Sequence, residues 1–347
     1  MPYSTIDKPS KYFNTLTYTG NSSYPRSITG VGFQPDWVWI KNRSSASFGH
    51  SLTDAVRGAN NILLSESTGA EFANANNVNA FASDGFTLGN TNYSGYSNQN
   101  AENYVAWNWL GANTTVSNTA GSITSTVSAN TTSGFSIVSY TGTGANATVG
   151  HGLGVAPRMI IFKTRSGVSD WGVYHESMTN TKRILLNSTG ASGNFTWGGS
   201  PTSSVFYVNN DGLVNGSGST YIAYCFAEVK GYSKFGSYTG NGSTDGTFVY
   251  TGFKPAYVMI KVSSNSGDGW FIFDNKRTTY NVMSTFLLAN SSAADETNTN
   301  RNIDFLSNGF KLRNSDTSLN YSAYTYIYMA FAENPFVSSK GIPCTAR

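Results

Sequence analysis

The chain has 347 residues, enough for two or three domains that each bury a core. Only 12% of residues are charged and the formal net charge is +3, so ionic cohesion is excluded as the main source of stability and no basic face for nucleic acid is implied. Two cysteines, Cys225 in an apolar run and Cys344 near the C-terminus, exclude a disulfide framework.

Residues 1–11 lack the charged-then-apolar pattern of a secretion signal, and no apolar run approaches the roughly 18 residues a spanning helix needs. An N-terminal arm, synthesis in a host cytoplasm and no membrane insertion are therefore expected. From residue 12 onward the same anchors recur three times in one order. Tyr-Thr-Gly begins at Tyr18, Tyr140 and Tyr238; Pro35, Pro157 and Pro255 then open aromatic or aliphatic runs that each end six residues later in a lysine, Lys41, Lys163 and Lys261. Their β-branched and aromatic content predicts a buried strand in each copy. A Leu-Leu pair follows (Leu63-Leu64, Leu185-Leu186, Leu287-Leu288), then a turn before a large apolar residue at Asp84-Gly85, Asp211-Gly212 and Asn308-Gly309. Glycine there suits tight hairpins because it tolerates positive φ. Each copy closes on a long aromatic strand, at residues 104–109, 221–228 and 326–333.

Helical periodicity is confined to a few turns expected near residues 53–58. The fold class is all-β: three diverged β-sandwich repeats, jelly-roll-like or lectin-like, spanning 12–111, 134–230 and 231–333. Residues 112–133 are rich in Ser, Thr and Asn and predict a linker or loosely packed edge, leaving the first repeat freer than the other two. The tail, 334–347, is expected to order only against a partner.

No catalytic centre is legible. His50, His151 and His175 share no metal-ligand spacing, so neither a metal nor any other cofactor is predicted. No serine sits in a nucleophile elbow. Glu228 and Glu333 end matching strands, but the first repeat has no counterpart, so a structural role is expected. Residues 265–269 read as a plain turn rather than a calcium loop. Trp37, Trp39, Trp107 and Trp109 are assigned to core, each i, i+2 pair on one strand face. Trp171, Trp197, Trp270, Tyr93 and Tyr96 lie in Gly/Ser/Asn-rich surroundings and are the candidates for stacking on a glycan.

Residues 32–41, the following Ala55-Val56-Arg57-Gly58, residues 83–89 and 104–109 resemble a domain common in structural proteins of cyanophages and other aquatic tailed phages. The second and third repeats depart from it, lacking Val-Arg-Gly and replacing Trp-Asn-Trp. The resemblance implies a virion component with other virion proteins as partners, and it offers no catalytic residues to carry over. The expected function is that of a non-enzymatic tail-fibre or fibre-associated protein contributing to host attachment, with a homotrimer as the first oligomer to test. Alternatives are a capsid decoration or cement protein, to which three repeats would lend a pseudo-trimeric shape, and an adhesion module binding a host surface glycan. A glycan depolymerase ranks last.

Overall fold

The computed structural model describes residues 3–344 and is all-β, with short 3₁₀ turns only at Pro9–Lys11 and Glu176–Met178. The first unit contains β1 (Phe13–Thr19), β2 (Arg26–Thr29), β3 (Trp37–Asn42), β4 (Ser51–Asp54), β5 (Asn61–Leu64), β6 (Phe72–Ala73), β7 (Val78–Ala82), β8 (Gly85–Leu88) and β9 (Asn103–Trp109). These form a large antiparallel sheet, β1-β9-β3-β4-β5-β6, and a small one, β2-β8-β7.

The second unit comprises β10 (Val116–Asn118), β11 (Ser125–Asn130), β12 (Phe135–Thr141), β13 (Ala147–Gly150), β14 (Met159–Thr164), β15 (Trp171–His175), β16 (Lys182–Leu185), β17 (Gly193–Asn194), β18 (Val205–Val208) and β19 (Thr220–Phe226). Its sheets are β10-β11-β12-β19-β14-β15-β16-β17 and β13-β18. The third has β20 (Ser233–Thr239), β21 (Phe248–Tyr250), β22 (Phe253–Val262), β23 (Phe271–Asp274), β24 (Thr285–Leu288), β25 (Glu296–Thr297), β26 (Ile303–Leu306), β27 (Gly309–Leu312) and β28 (Thr325–Pro335). They form β20-β28-β22-β23-β24-β25 and β21-β27-β26. One strand order thus occurs three times in the large sheets, with β10-β11 added at the edge of the second, whose small sheet has two strands instead of three.

Each large sheet is covered on both faces, which is why its central strands read as unbroken apolar runs rather than alternations. In β3, Val38 and Ile40 face the small sheet and share a core with Ile28, Phe86 and Leu88. Trp37 and Trp39 face the other way, into a core built from all three large sheets and joined there by Trp107, Trp109, Tyr224, Phe226, Met259 and Phe331. The expected i, i+2 pairing of the tryptophans is therefore correct, and Cys225 is buried as well.

The Tyr-Thr-Gly anchor ties the outer sandwich together. Tyr18, Tyr140 and Tyr238 donate to the carbonyls of Ser97, Val214 and Leu319, at 2.9, 2.7 and 2.6 Å. They stack on Tyr104, Tyr221 and Tyr326 at 5.2, 5.2 and 4.9 Å. The glycine is steric: a Cβ on Gly20, Gly142 or Gly240 would meet a backbone oxygen at 2.0, 2.3 or 2.2 Å.

Several expectations are corrected. Residues 112–133 form the edge of the second large sheet and are not a linker, because β11 pairs with β12 and Ile123 and Val127 are buried in the second unit's core. The first unit is not freer, because its tryptophans lie in the shared core. The helical turns near 53–58 are the end of β4 and a turn. The tail is held within its own chain as far as Cys344: Phe336 donates from its amide to Gly252, and Ser339 hydrogen-bonds Asp7. The expectation for residues 345–347 lies outside the described residues.

Candidate functional site: the seams of a closed ring

Strand registers fix which residues are equivalent. Trp39 lies opposite Trp107, Ile161 opposite Tyr224 and Met259 opposite Met329. Trp37 opposes Asp54, Met159 opposes His175 and Tyr257 opposes Asp274. His50 is thereby the counterpart of Trp171 and Trp270, whereas His175 is the counterpart of Asp54 and Asp274. The two histidines are therefore not equivalent to each other. The Leu-Leu anchor also slips by one residue, since Ile184 and Leu185 take the places of Leu63 and Leu64. Asp211-Gly212 is not a hairpin turn; Asp211 matches Ser94 and Asp316, each accepting from residues three and four further on.

With equivalences corrected, each contact between units repeats around a ring. Trp171 Nε1 donates to Leu64 O at 2.9 Å, Trp270 Nε1 to Leu185 O at 2.9 Å, and His50 Nε2 to Leu288 O at 3.0 Å. These bonds run from unit two to one, three to two and one to three. The amides of Glu71, Ser192 and Asp295 donate to the carbonyls of Arg165, Ser263 and Arg43, all at 2.9 Å. Tyr224 donates to Asp54 Oδ2 at 2.8 Å, Trp107 Nε1 to Asp274 Oδ2 at 3.1 Å, and His175 Nε2 to Tyr328 O at 3.2 Å. The third unit thus closes on the first, and the chain is a pseudo-threefold ring. Trp109, Phe226 and Phe331 mark the axis, with mutual ring distances of 6.5, 5.7 and 6.0 Å.

An acid held between two arginines reinforces two seams, while the third has the Glu228–Lys234 pair at its margin instead. Glu71 lies between Arg57 and Arg165, and Asp295 between Arg277 and Arg43. Burial would raise the Glu71 carboxyl, but the two guanidinium groups outweigh it and hold it below the usual range. Ser192 occupies the corresponding place at the seam between units two and three. Burial keeps the seam histidines neutral, pushing His50 well below its ordinary value and His175 to about 4. Trp39 Nε1 donates to His50 Nδ1, and the Ser177 amide donates to His175 Nδ1, so each Nε2–H points across its seam. Lys41, Lys163 and Lys261 are fully buried, and burial lowers each to about 8. Their ammonium groups donate only to carbonyls; Lys163 and Lys261 reach Thr68 and Thr189 of the preceding unit.

The glycan candidates divide. Trp171, Trp197 and Trp270 are at most 2% exposed, so none presents a face to a sugar. Trp171 and Trp270 are seam donors, and Trp197 stacks on Phe162 with its Nε1 on Lys182 O. Their Gly/Ser/Asn-rich neighbours are loops that turn beside them, while the burying atoms come from elsewhere in the chain. The spacing from the shared lysine, nine, eight and nine residues to His50, Trp171 and Trp270, was the available signal. Tyr93 is 41% exposed and Tyr96 half-buried, on one loop. Tyr96 packs edge-on against Phe48 at 5.4 Å and lies 6.4 Å from Phe72, two partners that sequence reasoning missed. Gly95 permits this packing, since a Cβ there would lie 2.1 Å from Phe48 Cζ.

Among the described residues, no group of three His, Cys, Asp or Glu side chains could hold a metal ion. Glu228 pairs with Lys234, and Glu333 with Lys254 and Asn275.

Fold and seams together define a class: a single-chain, pseudo-threefold assembly of antiparallel β-sandwich-like units. The chain belongs to the family described as Domain of unknown function (DUF7483), whose model matches residues 8–335. Neither a curated protein nor a solved structure matches it.

Proposed function

We propose that the protein is a non-enzymatic structural component of a virion, a one-chain counterpart of a trimer that attaches to other virion proteins at a site of threefold character. The observation that carries this reading is the closed set of three equivalent amide bonds at 2.9 Å. A closed ring satisfies its own interfaces within one chain, so the residues spent on assembly are internal and the outer faces are left for partners. This favours an adaptor or decoration role over a fibre shaft wound from three chains. The phage-like motifs supply the setting; Arg57, from the Ala-Val-Arg-Gly motif, takes part in the seam through Glu71.

Light scattering should give a mass near the chain's own 37.3 kDa, and antibodies to the chain should decorate purified particles. A stable homotrimer would sink the one-chain reading in favour of a fibre, and unlabelled particles would remove the virion assignment altogether.

A second reading, glycan contact, is favoured by the aromatic cluster of Phe48, Phe72 and Tyr96, with the exposed Tyr93 on the same loop as Tyr96. It belongs to the first unit alone, because Ser169 and Asp268 replace Phe48 in the others. Loss of glycan-array signal in Tyr93→Ala would support it, and an unchanged signal would end it.

A further inference from the structure

The ring has three equivalent outer edges, the first strand of each large sheet: β1, β12 and β20. Among the described residues, only one carries another strand. On β12, β11 runs antiparallel, with Ser128 opposite Ile137 and Thr126 opposite Ser139. Ser128 also reaches across the seam, its hydroxyl donating to Asp36 of the first unit at 3.4 Å.

By register, the counterpart of this place at the seam between units one and three is the edge of β1 facing Ala256 and Asn275. Antiparallel pairing alternates, and Leu110 N→Tyr12 O and Gly20 N→Glu102 O fix which residues bond to β9. Phe13, Thr15 and Thr17 therefore direct their amides and carbonyls outward, as Phe135, Ile137 and Ser139 do towards β11. A groove of about 280 Å³ runs beside this edge, lined among others by Ser10, Thr15, Asn275, Lys276 and Glu333. Two atoms on its lining residues are buried without any hydrogen-bond partner among the described residues: the Thr15 hydroxyl, on a residue 2% exposed, and Asn275 Oδ1, on one 5% exposed. Thr15 stands where the other units have Ile137 and Phe235, so a polar residue has been placed where packing alone would favour an apolar one. An orphaned buried hydroxyl is destabilising, and an incoming donor or acceptor relieves that cost. At the remaining edge, β20, the seam is packed by Phe235 and the 3₁₀ turn Glu176–Met178.

We infer that the β1 edge is a docking site for an extended strand of another polypeptide, which adds antiparallel to β1 and occupies the groove as β11 occupies its counterpart. The occupant is uncharged and rich in small hydroxyl residues, because β11 itself is Ser-Thr-Val-Ser-Ala-Asn and seats a serine over the seam. Main-chain hydrogen bonds would supply affinity, and the Thr15 and Asn275 groups would set the register. The site rests on the assembly reading for its biological use, but strand addition is tested separately.

The probe is a synthetic peptide of residues 123–131, the strand that seats on the equivalent edge. Titrated into the full chain under amide-resolved NMR, it should shift the amides of Phe13, Thr15 and Thr17 and leave those of β12 in place. Thr17→Pro removes one outward N–H at an exposed edge position and should weaken binding roughly tenfold, whereas Thr17→Ala should not. Absence of shifts in β1 at millimolar peptide overturns the proposal without touching the ring or its mass, and needs no variant to fold. Concentration-dependent broadening of the same amides without peptide would also overturn it, giving the edge to a second copy.

Discussion

His175 shows how far one side chain's role depends on its place in the ring. Where the other units have Asp54 and Asp274, it is a neutral donor to Tyr328 O across the seam between units two and three. Its folded value of about 4 lies below the ordinary 6.5 because burial disfavours the cation. Below pH 6.5 the unfolded chain binds a proton that the folded chain does not, so stability falls as pH drops from 6.5 towards 4. The loss should approach about 3 kcal/mol at pH 4, on the scale of about 1.4 kcal/mol per pH unit. Denaturant titrations of His175→Gln, which keeps a donor without a titrating ring, should show a flatter acid limb; an unchanged limb would place the acid sensitivity elsewhere. His50 shifts in the same direction, so part of the limb should survive in the single variant.

At the scale of elements, the turn after β4 and the turn after β23 are the same device. Asp54 accepts from the amides of Val56 and Arg57, and Asp274 from those of Lys276 and Arg277. Each then pairs with its own arginine, whose guanidinium also bonds Leu52 O or Ile272 O. Each aspartate receives one donor from a neighbouring unit, Tyr224 or Trp107. Removing one partner of a buried ion pair strands the other, so Asp54→Asn should destabilise by roughly 3–5 kcal/mol. Tyr224→Phe should cost about 1 kcal/mol, and the double variant should cost less than the sum because the same oxygen is involved. Additive costs in thermal unfolding would mean that the seam bond carries no energy of its own. In the first unit the sequence marked this place only as the Ala-Val-Arg-Gly motif, with helical turns expected instead of this device; the third-unit form, Asn275-Lys276-Arg277, carried no mark, since it shares only the arginine and the preceding aspartate.

For the whole molecule, a core shared by three large sheets predicts one cooperative unfolding event instead of three. Calorimetric and van't Hoff enthalpies should agree, and a calorimetric value well above the van't Hoff value would mean that the units melt separately. Truncation to residues 1–111 should expose Trp37, Trp39, Trp107 and Trp109, which are now at most 1% exposed. A contiguous aromatic face of that kind drives association, so the fragment should self-associate under light scattering. A dispersed, folded monomer would contradict the shared core. Trp109→Ala, at the axis, should cost about 3–5 kcal/mol in the full chain.

Composition and spacing alone determined the all-β class, the three-fold recurrence of anchors, the buried lysine strands and the core tryptophans, because these depend on local propensity and on which faces are apolar. They misplaced Trp171, Trp197 and Trp270, since burial is a property of what lies across a gap and not of chain neighbours. They misaligned Leu185-Leu186 and Asp211-Gly212, since only cross-strand register fixes which residues oppose each other. The ring and its open edge at β1 were decided by tertiary structure: closing the third unit on the first joins residues more than 200 positions apart, such as His50 and Leu288, and no periodicity along the chain encodes that contact.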